Sequence, residues 1–149
     1  MRRLMLLLFL YIPSVWAGEA TDRVAVVELT QTACQFIEPE RGDVHYTAES
    51  YDACQALNEQ SGEARLARAK VIELKPGDYL FRVHNRDVPY VLGFWLRGEG
   101  LERLTLPSVS GGGITTGGYK DYRITLKEGE YLYSCPLNPT PDYRLVVKQ

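Results

Sequence analysis

The sequence is short of the features that usually reveal a function. It holds two histidines and two methionines, and both methionines, Met1 and Met5, lie at the very start. It has no block of Lys or Arg, which argues against nucleic acid or an anionic membrane surface as partner. Beyond Ala17 no apolar run approaches the roughly 20 residues a bilayer-spanning helix needs. Internal repeats and low-complexity linkers are absent. Ser108 and Ser110 have no His/Asp arrangement around them, so hydrolytic catalysis has no support and a non-enzyme is expected.

What is present begins at the N-terminus. Arg2 and Arg3 precede an apolar run from Leu4 to Ile12 and a small-residue exit at Val15-Trp16-Ala17. That order predicts a secretory signal peptide over residues 1–17 and a mature chain in the periplasm or outside the cell. No Cys follows closely enough to accept a lipid. Removing Arg2 and Arg3 takes the basic residues from 17 to 15 against 19 acids, so the mature net charge is −4. Residues 18–149 are one domain's worth of chain. The mature part keeps Cys34, Cys54 and Cys135, and an odd count in an oxidising compartment means one disulfide plus a leftover thiol, or thiols held for a metal.

Most of the mature chain reads as strands. Val24, Val26 and Val27 mark a first strand that ends at the polar cluster Thr30-Gln31-Thr32. Residues 34–68 read as an insertion with one short helix, since Tyr51, Cys54 and Leu57 share a helical face and Asn58 and Gly62 are stop signals. Beyond it, Tyr79, Phe81 and Val83 alternate after the turn Lys75-Pro76-Gly77-Asp78, a hairpin-like signal. Tyr90 to Leu96 suits a buried strand. Gly111-Gly112-Gly113 lacks the helix start and Lys of a phosphate loop and reads as a flexible or tightly turned loop. Tyr122, Ile124 and Leu126 alternate again, as do Tyr131 and Tyr133, and Tyr143–Val147 closes the chain. This spacing predicts an all-β sandwich. Of Tyr90, Phe94, Trp95, Tyr131 and Tyr133, at least three belong in its core.

Two segments carry a resemblance. Phe81 to Tyr90 contains an Asn turn, and Gly129 to Pro141 contains a Gly-x-Tyr strand running into Cys135; together they resemble the ligand-bearing elements of cupredoxins. The likeness covers about Ala69 to the C-terminus. It implies a Greek-key β-sandwich of cupredoxin type, with copper as the cofactor and electron transfer as one possible role. A blue copper site needs two imidazoles and a thiolate with a weak axial ligand. Here Cys135 stands at the thiolate position, Tyr90 and Asn138 at the two His positions, and Pro141 at the axial one, so no conventional type 1 site is expected. The sequence is also similar to the EfeO-type periplasmic cupredoxin-like domains, where Cys34 and Cys135 match two cysteines. That similarity implies a metal site joining such cysteines with carboxylates, for which Glu38 and Glu40 are candidates.

The bland readings stand beside these. Cys34–Cys54 is the simplest disulfide, with Cys34–Cys135 as the alternative. Cys135 is either a metal-binding thiolate or a buried thiol that packs as a small hydrophobe. His84 is a solvent-facing residue or an outer donor to a site, and His45 lends an imidazole to the same end or does nothing. Pro136, Pro139 and Pro141 stiffen the loop around Asn138. Two functions compete: a metal-handling protein that binds or delivers copper through Cys135, and a metal-free module that binds a periplasmic protein.

Overall fold

In the computed structural model residues 24–47 and 49–149 are described, so the expected signal peptide lies outside the described residues. The first strand, β1 (Ala25–Thr32), runs through its polar cluster and ends there, at Thr32. Gln31 and Thr32 pair with Phe36 and Gln35 of β2 (Gln35–Phe36); both are buried, and the ladder satisfies backbone groups that burial removes from water. Cys34 makes the tight corner between the two strands with φ 59°.

β1 then lies parallel to β4 (Gly77–Asn85), with Val27 opposite Phe81 and Leu29 opposite Val83. Parallel neighbours cannot be joined by a tight turn. The long crossover between them covers residues 34–68, where one short helix is expected, and runs on to β4; it holds more than one helix. It carries α1 (Ile37–Glu40), α2 (Tyr51–Leu66) and β3 (Ile72–Leu74). The Ser50 hydroxyl accepts from Ala53 N at 3.2 Å and caps α2, while Asp52 in the first turn and Arg65 in the last complement the helix dipole. The helix runs through both expected stops. Asn58 is retained because its Oδ1 accepts from Arg65 Nη1 at 2.8 Å, and Gly62 sits on the buried face. Tertiary anchoring at Arg65 outweighs the local cost of the glycine, about 1 kcal/mol. Of the residues expected to share one helical face, Cys54 is buried and Tyr51 half exposed.

The expected hairpin at Pro76-Gly77 is also corrected. β3 pairs in parallel with β9 (Tyr143–Val147), whereas β4 belongs with β1, so the turn hands the chain from one sheet to the other. The remaining strands are β5 (Leu92–Gly98), β6 (Val109–Ile114), β7 (Tyr119–Leu126) and β8 (Gly129–Ser134), with a 3₁₀ turn at Gly100–Leu104. A four-stranded sheet has the order β2-β1-β4-β7 and a five-stranded one β3-β9-β8-β5-β6.

The glycine run is a strand rather than a loop. Gly111 and Gly112 in β6 pair with Phe94 and Gly93 of β5. A Cβ on Gly93 would lie 3.0 Å from Gly111 O, and one on Gly111 would lie 3.2 Å from the Tyr122 ring. The glycines therefore permit a close approach of backbones, one of the two usual reasons for glycine within a strand.

Between the sheets, Phe36, Phe81 and Val83 face Phe94, Tyr133 and Tyr143, all without solvent exposure. Phe36 meets Tyr133 edge-on at 5.5 Å and Tyr143 at 5.9 Å, favourable arrangements for ring quadrupoles. Of the five aromatics weighed above, Phe94, Tyr131 and Tyr133 are core, while Trp95 and Tyr90 are partly exposed. The chain is thus a β-sandwich, and α1 and α2 pack along the side where β2 and β9 meet. Among the described residues no helix is long and apolar enough to cross a membrane.

Candidate functional site

The loop after β8 is the point to which the expected site residues lead. Alternation in β8 turns Tyr131 and Tyr133 into the core, and Cys135 follows with the same parity. Its Sγ is buried and accepts from two backbone groups, Asn138 N at 3.2 Å and Gly93 N at 3.4 Å. Its own N–H donates to Thr140 Oγ1 at 3.1 Å, and that hydroxyl donates on to Pro141 O at 3.2 Å. Burial pushes the Cys135 thiol above its ordinary pKa, and the N–H groups on the sulfur only partly offset this. The sulfur is a protonated thiol at neutral pH.

Asn138 organises the rest. Its Oδ1 accepts from Cys34 N at 2.9 Å and from Tyr90 Oη at 3.2 Å, and its Nδ2 donates to Thr32 O at 2.9 Å. Cys34 and Cys54 form a disulfide, and Cys54 Sγ lies 3.2 Å from the same Oδ1. A disulfide sulfur carries no proton, so that contact is packing rather than a hydrogen bond. The side chain has no exposure, and every one of its polar atoms is used.

A second buried cluster continues from Cys34. Its carbonyl accepts from Arg65 Nη2 at 2.8 Å, and the same guanidinium binds Glu40 Oε1 through Nε at 3.0 Å and Nη2 at 2.5 Å. Tyr143 Oη donates to that carboxylate oxygen. Burial opposes the charge on Arg65, but the Glu40 carboxylate outweighs it and holds the guanidinium protonated. Burial, then Glu40, keeps the Tyr143 phenol protonated. Tyr46 lies over the guanidinium at 4.8 Å.

The structure thus brings together Cys135, Asn138, Tyr90 and the Cys34–Cys54 pair. It does not bring the other candidates to them. Cys34 cannot serve as a thiolate ligand while bonded to Cys54, which also removes the alternative Cys34–Cys135 bridge. Glu38 Oε2 accepts from Thr30 N at 2.9 Å. His84 points from the outer face of the four-stranded sheet to Glu28 Oε2 at 2.6 Å, whereas Cys135 lies between the sheets. His45 is 82% exposed and sits 3.2 Å from Asp43. Among the described residues no three His, Cys, Asp or Glu side chains gather as a metal-binding group.

A copper site of the type 1 kind does not fit these residues. Tyr90 and Asn138 supply a phenol and a carboxamide oxygen, both already bonded within the protein, and the thiol resists ionisation. Sequence reasoning missed Gln31, Gly93, Thr140 and Arg65. Gln31 had a readable signal, because it shares the inward parity of Leu29; its Nε2 donates to Gly93 O at 2.9 Å. Glycine and threonine carry no such signal, since their roles here are a backbone N–H and a hydroxyl set by the loop. No protein-family model matches this sequence, and no curated protein matches it.

Proposed function

We propose that the chain is a periplasmic or secreted sandwich of the cupredoxin type, with Greek-key connections, in which a hydrogen-bonded plug has replaced the metal centre. On this reading it works as a binding module for a periplasmic protein rather than as an electron carrier. The observation that carries the reading is that both polar atoms of the Asn138 side chain are engaged. The position expected for an imidazole instead ties the loop to Tyr90, to Thr32 and to the backbone of the disulfide. A site built to receive a metal would leave the groups at the two expected imidazole positions free, and at Tyr90 and Asn138 they are engaged. Val91 and Leu137, each nearly half exposed, lend the same end an apolar face suited to contact.

The test is a photo-crosslinking residue at Leu137 in the exported protein, with a control at exposed Tyr119 on another face. A discrete product from position 137 alone supports the module. Equal products from both positions, or none, contradict it.

One observation favours the rival reading of metal handling. Two backbone N–H groups aim at Cys135 Sγ, an arrangement that stabilises a thiolate if one forms. A soft ion such as Cu(I) is the cargo that a lone thiolate in this setting would take. Copper that co-purifies with the wild-type protein and vanishes in Cys135→Ser would favour this second reading.

A further inference from the structure

The turn that follows β5 carries two leucines that the sandwich does not use. Gly100, at φ 55°, opens the 3₁₀ turn Gly100–Leu104. Residues three apart eclipse in a 3₁₀ helix, so Leu101 and Leu104 stand on one side of it. They are 86% and 82% exposed, the two most exposed large apolar side chains among the described residues. The turn itself is anchored. Glu102 Oε2 accepts from Glu130 N at 2.8 Å, and a Cβ on Gly98 would lie 2.6 Å from the Glu102 carbonyl. A fixed turn that holds leucines in water is suited to contact, because little freedom remains to be lost on binding.

An apolar recess adjoins it on the outer face of the five-stranded sheet. Leu132 of β8, paired between Arg97 of β5 and Arg144 of β9, joins Leu66 and Val71 in lining a cavity of about 250 Å³. That is below the roughly 300–1,000 Å³ of sites for drug-sized ligands and suits a few side-chain carbons. Glu99 lines the cavity and Gly100 begins the turn, so protrusion and recess are neighbours in the chain. Their charges correspond as well. Arg103, between the two leucines, has no carboxylate within ion-pair distance among the described residues. Asp142 at the rim is half exposed and holds Arg97 through Oδ1 at 2.8 Å, and a carboxylate has capacity for a second cation.

We propose that the recess receives the leucine turn of a second copy of this chain. Leu101 and Leu104 of one copy enter the cavity of the other, and Arg103 meets Asp142 across the contact. Each copy carries both elements side by side, so one two-fold rotation satisfies both contacts and assembly closes at two. The contact lies away from the plug. β8 starts beside the turn, at Glu130, and ends at Ser134, where the Cys135 loop begins. Dimerisation is therefore independent of the function proposed for that loop.

The experiment is sedimentation velocity of the mature protein from about 1 µM to about 1 mM, where a monomer–dimer equilibrium is expected. The double variant Leu101→Ser/Leu104→Ser removes the protrusion without touching the core and should weaken the dimer by about a hundredfold. On the other side of the contact, Leu66→Ser should weaken it by about tenfold. Arg103→Glu sets like charges across the contact and should also weaken it by about tenfold. All four side chains are exposed, so these variants keep the fold. A monomer throughout the range overturns the proposal, as does a dimer that survives loss of both leucines. Growth beyond two copies overturns the two-fold arrangement. A dimer lost with the leucines but indifferent to Leu66→Ser and Arg103→Glu seats them on another surface and overturns the role of the cavity.

Discussion

Two polar networks flank the four-stranded sheet, one inside the sandwich and one on its outer face. The inner network runs from Arg65 through Cys34 to Asn138 and Cys135, all buried. The outer one is a ladder in which Arg82 holds Asp121 through two hydrogen bonds of 2.8 Å and His84 reaches Glu28. Its members are about a third to a half exposed. The residue types are similar, but water can replace any lost partner outside and none inside. Burial therefore decides which network the fold depends on.

The sharpest way to break this comparison is Arg65→Met. It leaves the Glu40 carboxylate buried with only Tyr143 as donor, and the expected loss is about 3–5 kcal/mol in urea unfolding. A change below about 1 kcal/mol would mean that the Glu40 carboxylate reaches water or another donor at little cost. Next is the double variant Cys34→Ala/Cys54→Ala. It releases a cross-link of sequence separation 20 and should lower stability by about 3 kcal/mol, measured the same way without reductant.

Asn138→Ala follows. It orphans Cys34 N and Thr32 O, and we expect a loss of about 2 kcal/mol together with faster amide exchange at Cys34. Arg82→Ala on the ladder marks the small end, where the urea midpoint should stay in place at physiological salt. A marked drop there would erase the contrast between the two faces.

The pH dependence follows from Cys135. Its folded pKa is raised, so the folded state holds the proton more tightly than the unfolded chain does. That contribution is complete below the unfolded thiol pKa and is lost as pH rises through and beyond it. Cys135→Ala should therefore flatten part of the alkaline fall in stability. The Tyr90, Tyr122, Tyr131, Tyr133 and Tyr143 phenols, also raised by burial, contribute to the part that remains.

Much of the sandwich was legible because its signals are local. Period-2 alternation places Phe81, Val83, Tyr122, Ile124, Tyr131 and Tyr133 on inner faces, where they lie. Partner choice was not legible, since the Pro76-Gly77 turn looks the same whether it joins a hairpin or crosses between sheets. The helix length was hidden for a related reason. Asn58 and Gly62 end helices by local rules, and only the distant Glu40 and Cys34 explain why α2 continues to Arg65. At the site, the likeness of segments 81–90 and 129–141 to ligand-bearing elements groups Cys135, Tyr90 and Asn138, and they do meet. His84 and His45 were included for their chemistry alone, and strand direction and a surface turn carry them away.

The central claim is that the Cys135 loop is a closed plug. Its most direct test is an anaerobic Cu(I) titration of the mature protein beside Cys135→Ser, with a competing chelator as readout. Equal, weak retention by both proteins is expected. One equivalent of copper held by the wild type and lost in Cys135→Ser would contradict it and make the buried thiol the centre of a metal-handling protein.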